Sequence, residues 1–200
     1  MSLRLAGMGQ TITFTELDPL AFTAALDGFV AVYAAAMNPP ARQLAGREAI
    51  LERHATYPRF RALAALSGEE LAGFCYGFHG APGQWWHDMV AAALSGLGGP
   101  PGASRWLANS LEIAELHVLP SYQGRGIGRE LLFRVAAGRP ERTAVLSTQD
   151  TESRARRLYR RAGFTDLLTG YRFSGGEPPY AVMGAELPLR DGTSSQSPSS

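Results

Sequence analysis

The stretch Pro120–Leu132, PSYQGRGIGRELL, places Gly124, Gly126 and Gly128 within five residues and then turns directly into a helix-like pattern. A helix start exposes N–H groups without intrahelical partners and carries the positive end of the helix dipole. Glycines ahead of it let the main chain approach an anion closely. A strand, a glycine loop and a helix in that order therefore read as a phosphate cradle. Two familiar nucleotide patterns fail. For G-x-G-x-x-G counted from Gly124, the third glycine position holds Arg129, and a P-loop needs a lysine, of which the chain has none. A tight turn with positive φ would need a single glycine. The pattern that remains is Q-x-x-G-x-G, formed by Gln123, Gly126 and Gly128.

Other side chains with chemical potential are scattered. His54, His79, His87 and His117 have no metal-site spacing, so no metal is expected. Cys75 sits in the apolar run LAGFCYGF and reads as a buried, inert thiol. The arginine run Arg154–Arg161 reads as a solvated helix face, with one or two members near phosphates rather than a nucleic-acid patch. Trp85 and Trp86 lie beside the hairpin and suit an acceptor pocket, a subunit contact or plain core.

These residues need elements to hold them. TITFTEL alternates as a first strand, and Asp18–Pro19 is a helix start with a capping carboxylate and proline at the first position. That helix is expected to run to Met37, with a second over Arg42–Thr56. RALAAL, the turn SGEE and LAGFCYGFHG form a hairpin. Residues 81–110 are rich in glycine and proline and read as an elaborated loop with a short helical segment. A strand over Leu111–Leu119 precedes the glycine loop, and a helix over Arg129–Ala137 follows it, with Gly138 at its end. TAVLST is a strand. Ala155, Leu158, Tyr159 and Ala162 make one apolar face of the next helix. Strands over Thr165–Phe173 and Tyr180–Leu187 close the chain.

The segment ELHVLPSYQGRGIGRELL closely resembles the acetyl-CoA-binding motif of the GCN5-related N-acetyltransferases (GNAT). ARRLYRRAGF resembles the next motif of that family, a helix with a tyrosine shortly before Gly-Phe, here 31 residues from Gly128 to Tyr159. The motifs cover Leu111–Phe164. The chain reads as one mixed α/β domain over residues 1–187, with the polar, low-complexity end over 188–200 as a disordered tail, and the resemblance implies the architecture of that domain. Its fold would be a splayed, mostly antiparallel sheet of about seven strands flanked by helices. It further implies that main-chain groups of Leu116, His117 and Val118 bond the pantetheine arm of acetyl-CoA. The amides of Gln123, Gly124, Arg125, Gly126, Ile127, Gly128 and Arg129 would then hold its pyrophosphate. Many members carry Asn seven residues before the tyrosine; Glu152 stands there in this chain.

The resemblance also assigns roles. Tyr159 matches the acid whose hydroxyl sits near the cofactor sulfur. Glu112, eleven residues before Gln123, has the spacing of the catalytic glutamate in histone-type members, and Glu115 is the other candidate base. Strand parity sets Glu112 with Ala114, Leu116 and Val118, and Glu115 with Ile113 and His117, so one of the two should face the cleft. The implied activity is acetyl-CoA-dependent N-acetylation of a small-molecule or peptide amine. The alternatives are a non-catalytic acyl-CoA sensor on the same fold, or a transferase for another acyl group.

Composition agrees with these expectations. At 200 residues, 45% hydrophobic and 18% charged, the chain is long enough for one packed core. A net charge of +1 gives no global field for nucleic acid. All 19 basic residues are arginine. One cysteine precludes an internal disulfide and suits a reducing cytoplasm. No secretory signal is read in MSLRLAGMGQ, and Leu20–Met37, interrupted by Asp27 and Gly28, is expected as a buried helix rather than a membrane span. No membrane partner is expected, and a homodimer contact is left open.

Overall fold

The computed structural model describes residues 11–98, 100–173 and 178–190. The chain opens with β1 (Ile12–Leu17), then α1 (Pro19–Ala24), α2 (Leu26–Met37), α3 (Ala41–Leu44) and α4 (Arg47–Ala55). The hairpin β2 (Arg61–Ser67) and β3 (Glu70–Gly80) follows, then α5 (Trp85–Gly98) and α6 (Pro100–Leu107). The second half holds β4 (Ser110–Val118), α7 (Ile127–Ala136), β5 (Thr143–Gln149), α8 (Arg154–Arg161), β6 (Thr165–Tyr171) and β7 (Tyr180–Glu186). The strands form one sheet in the order β1-β2-β3-β4-β5-β7-β6. Every neighbouring pair is antiparallel except β4 and β5. This is the mixed α/β fold expected from the sequence.

Alternation along β5 shows how the sheet is covered. Ala144 and Leu146 pack with α7 and α8 on one face, whereas Val145 packs with α5 and α6 on the other. That second face is shared. The helices α1, α2 and α4 cover it over β2 and β3 through Phe22, Phe29 and Leu51 against Phe74, Tyr76 and Phe78. Between these two groups of helices a cavity lies over β4.

Three helical expectations are corrected. The first helix breaks at Ala25, although Asp18 caps its start as expected, its carboxylate accepting from the Ala21 amide at 2.8 Å. The second breaks at Gly46, whose φ of 76° is left-handed and ends the helical path. Residues 81–110 are a packed two-helix hairpin rather than a loop. Pro100 begins α6 at the position where a missing N–H costs nothing, and Val90, Leu94 and Leu107 are buried. The domain also runs past residue 187. Leu189 packs on the core and the Arg190 amide donates to the Ala162 carbonyl. Of the tail expected over 188–200, residues 191–200 lie outside the described residues.

Candidate active site

β4 and β5 are hydrogen-bonded only over Ser110–Glu112 against Thr143–Val145. Beyond Glu112 they part, while β4 keeps β3 and β5 keeps β7 on their outer sides. The divergence leaves one edge of β4 without a strand partner along Leu116–Val118, as the motif resemblance implied.

A bulge bends β4 at the same place. The register moves from Tyr76 opposite Glu115 to Gly77 opposite Ile113, so Ala114 is the extra residue. Gly77 makes the close approach possible, because a Cβ there would lie 2.5 Å from the Glu112 carbonyl oxygen. The bulge overturns the parity argument. Glu112 pairs with Phe78, Glu115 with Tyr76 and His117 with Phe74, and those three aromatics share one face. Both glutamates therefore line the same cavity.

That cavity, of about 580 Å3, lies between α2 and α4 on one side and the start of α5 on the other. A second cleft of about 1000 Å3 runs along the glycine loop, α7 and α8. The two meet: Met37, Leu116, His117, Ser153, Ala155 and Tyr159 line both. Tyr159 stands at the junction, and its hydroxyl has no hydrogen-bond partner among the described residues. Burial pushes its phenol above the usual range, so it remains protonated over working pH.

The two glutamates differ in state. Glu112 is buried, its Oε2 has no hydrogen-bond partner, and burial alone raises its carboxyl to about 8. Glu115 is nearly enclosed, with 11% of its side chain exposed, and desolvation by itself disfavours its charge. The His117 hydrogen bond and the Arg47 guanidinium overcome that penalty and hold it below the usual carboxylate range. Arg47 also stacks over Tyr33 at 3.9 Å. Glu115 is thus a structural tie between α4 and β4, while Glu112 is poised to exchange a proton near neutral pH. His54 donates to or accepts from the Tyr76 hydroxyl at 2.9 Å, and burial lowers it to about 4, so it is neutral.

The large cleft collects most of the residues assigned to the cofactor. Residues 116–118, 123, 124 and 126–129 line it. Helix α7 starts at Ile127, two residues earlier than expected, which brings the amides of Ile127, Gly128 and Arg129 into its first turn. Gly124 and Gly126 have φ of 80° and 81°, while Gly128 is helical. The Gln123 amide group donates to the Val118 carbonyl at 3.0 Å and pins the loop to the end of β4.

Two expected residues stand apart. Arg125 bonds the Ser121 carbonyl and stacks over Tyr122, outside the lining. Glu152 is exposed and bonds Arg160 at 2.7 Å, so its side chain does not replace the family's asparagine in the cleft. Ser153 beside it does line both cavities. The arginine run divides by helix face. Arg156 is buried against Asp150 and Asp166, and Arg160 bonds Glu152, whereas Arg154, Arg157 and Arg161 line the large cleft.

Cys75 is fully buried and its thiol is pushed up by burial, as expected of an inert core residue. Trp85 and Trp86 both line the smaller cavity, because they begin a helix and are not bound by strand alternation. Sequence reasoning missed Tyr33, Arg47, Arg53, His54 and Tyr57 as cavity residues. They come from α2, α4 and the turn after α4, none of which carries a motif. Among the described residues no group of acids, histidines and cysteines could hold a metal, and no helix is long and apolar enough to cross a membrane.

Comparison with known proteins places this arrangement. Residues 58–166 match the acetyltransferase (GNAT) domain. A GCN5-like protein acetyltransferase of Mycobacterium tuberculosis is 46% identical over 130 residues, which is 63% of this chain and 63% of that relative. The chain thus aligns with less than two thirds of that protein's length. Among solved structures, the ribosomal-protein-S18-alanine N-acetyltransferase of Escherichia coli superposes with a TM-score of 0.60 at 16% identity, over 88% of this chain and 94% of that one. The PaiA N-acetyltransferase of Thermoplasma acidophilum, solved with coenzyme A, gives 0.58 at 14% identity over 88% and 99%. With more than half its length matched, including both strands of the splay and the helix of Tyr159, the chain belongs to the GNAT acetyltransferase family.

Proposed function

We propose that the protein is an acetyl-CoA-dependent N-acetyltransferase that acetylates the primary amine of a small molecule or peptide in the reducing cytoplasm. The observation that carries this reading is the meeting of two cavities at Tyr159, with Glu112 in the smaller one. The large cleft fits the acyl donor on physical grounds. A helix N-terminus behind two left-handed glycines suits a pyrophosphate, and Arg154, Arg157 and Arg161 supply positive charge. The free edge of β4 suits an amide-bearing arm. Similarity to a structure solved with coenzyme A supports the same donor.

Roles follow from protonation state. An amine arrives as the ammonium and must lose a proton before its nitrogen can attack a thioester carbon. Glu112, the unpartnered buried carboxyl, takes that proton once ionised. As the carbon–sulfur bond breaks, charge grows on sulfur. Tyr159 donates its hydrogen there, and the proton lost from nitrogen after attack restores the phenol. Glu115, bonded to Arg47 and His117, holds the cavity wall.

The test is thiol release from acetyl-CoA with an amine panel, with acetylated products read by mass spectrometry. The chain contains no lysine, so acetyl-lysine in the mixture belongs to another molecule. Tyr159→Phe should lower kcat by ~10²-fold with acetyl-CoA affinity nearly kept. Binding of acetyl-CoA without amine-dependent thiol release would leave a sensor on the same fold. A wild-type rate in Tyr159→Phe would make the tyrosine a core residue.

A further inference from the structure

The smaller cavity carries information about the acceptor beyond the presence of an amine. Its walls are aromatic: Tyr33, Tyr57, Trp85, Trp86, Phe173 and Tyr180. The Trp86 indole N–H donates to the Ser147 hydroxyl at 3.1 Å, so that wall is fixed. Such walls suit an apolar stem and one cationic head, since a ring face attracts a cation and loses little on covering methylenes.

The charges inside are nearly all committed. Of the two acids lining the cavity, Glu115 is bonded to both Arg47 and His117. Glu112 is the other, and it can neutralise one incoming charge. Of the two arginines, Arg47 is spent on Glu115. Arg53, on the last turn of α4, lines the cavity with its side chain exposed and has no carboxylate partner among the described residues. Among the described residues a second cation on the acceptor would therefore meet no free carboxylate there and would face Arg53.

Resting on the acetyltransferase reading, we infer that the acceptor is a singly cationic primary amine on an apolar stem whose far end carries a carboxylate held by Arg53. Polycations such as polyamines and aminoglycosides are poor substrates. The guanidinium of Arg53 presents paired donors to a carboxylate at the cavity mouth, while the amine reaches Glu112 at the floor.

Three probes of equal length decide this: 6-aminohexanoate, hexylamine and 1,6-diaminohexane. With the whole protein and saturating acetyl-CoA, 1,6-diaminohexane should show a kcat/KM at least about tenfold below 6-aminohexanoate. Hexylamine should fall between them. Arg53→Gln should reduce the preference for 6-aminohexanoate over hexylamine by about tenfold, through KM rather than kcat. A diamine used as well as the amino acid overturns the inference. An unchanged preference in Arg53→Gln overturns the role of that arginine. If no amine releases thiol, the acetyltransferase reading fails instead. Calorimetric binding of the same probes to the protein with coenzyme A then still tests the acceptor class, with the same ranking expected.

Discussion

The cleft beside α7 and the cavity beneath α4 meet at one tyrosine, yet they are made of different material. The first joins main chain, at the unpartnered edge of β4, the glycine loop and the first turn of α7, to side chains of α8 that include Arg154, Arg157 and Arg161. The second is walled by side chains from α2, α4, α5, β4, β5, α8 and the strand pair at the end of the chain. A main-chain site constrains a continuous run of sequence, because glycines must stand where a side chain would block or strain it. A side-chain site assembled from distant elements constrains single positions that any surface or core residue could occupy. The contrast suits a common donor and a particular acceptor.

The largest effect is expected from a side chain placed in the donor cleft. Gly128 is the better target than Gly126. Gly126 is left-handed, so valine there would strain the loop whatever its effect on binding. Gly128 is helical, and a Cβ there would meet only Leu158 and Val118 at 3.7 and 3.8 Å, ordinary contact distances. Gly128→Val should keep the circular-dichroism spectrum and lose acetyl-CoA affinity by ~10²-fold or more in calorimetry. Unchanged affinity in the folded variant would remove the pyrophosphate from this loop.

The same contrast sets what could be read without coordinates. The glycine loop, Tyr159 and the order of the elements were legible because each is local. The bulge at Ala114 was not. One extra residue in a strand leaves no periodic trace, and it reversed the assignment of Glu112 and Glu115 to opposite faces. Its available sign was Gly77 in the facing strand. The hairpin α5–α6 was misread for a related reason. Its glycines and prolines look like loop punctuation, although Pro100 stands where a helix begins. Nothing in the sequence pointed to Arg47 or His54, whose meaning depends on partners 68 and 22 residues away.

A smaller effect is expected at Glu112, in the cavity built from side chains. Its carboxyl sits near 8 because burial disfavours the charge. The rate should therefore rise with pH through about 8 in the wild type. Glu112→Gln should remove that limb and lower kcat by roughly 10²-fold. Stability moves the other way. A carboxyl raised on folding contributes fully below its unfolded value, and the contribution is lost as pH rises through the folded one. Urea titrations from pH 5 to pH 9 should thus show the wild type weakening relative to Glu112→Gln. A flat difference would mean that Glu112 is ionised throughout and is not poised as a base.

The smallest effect is expected at Glu152, and it tests whether the donor cleft ends short of this side chain. This position holds an asparagine in many relatives by the motif resemblance, and a side-chain contact to the donor would make its removal costly. Here Glu152 lies outside the cleft, exposed and bonded to Arg160, which keeps a second carboxylate partner in Asp166 at 3.5 Å. An exposed pair of this kind gains little, because water competes for both charges and holding two long side chains together costs entropy. Glu152→Ala should then leave acetyl-CoA affinity within about twofold and the melting curve nearly unmoved. The buried Arg156 of α8 keeps its pairs to Asp150 and Asp166 in the variant. A tenfold loss of affinity would show that a side chain beyond the main-chain cradle reaches the donor. The division between a main-chain cleft and a side-chain cavity would then have to be redrawn at the start of α8.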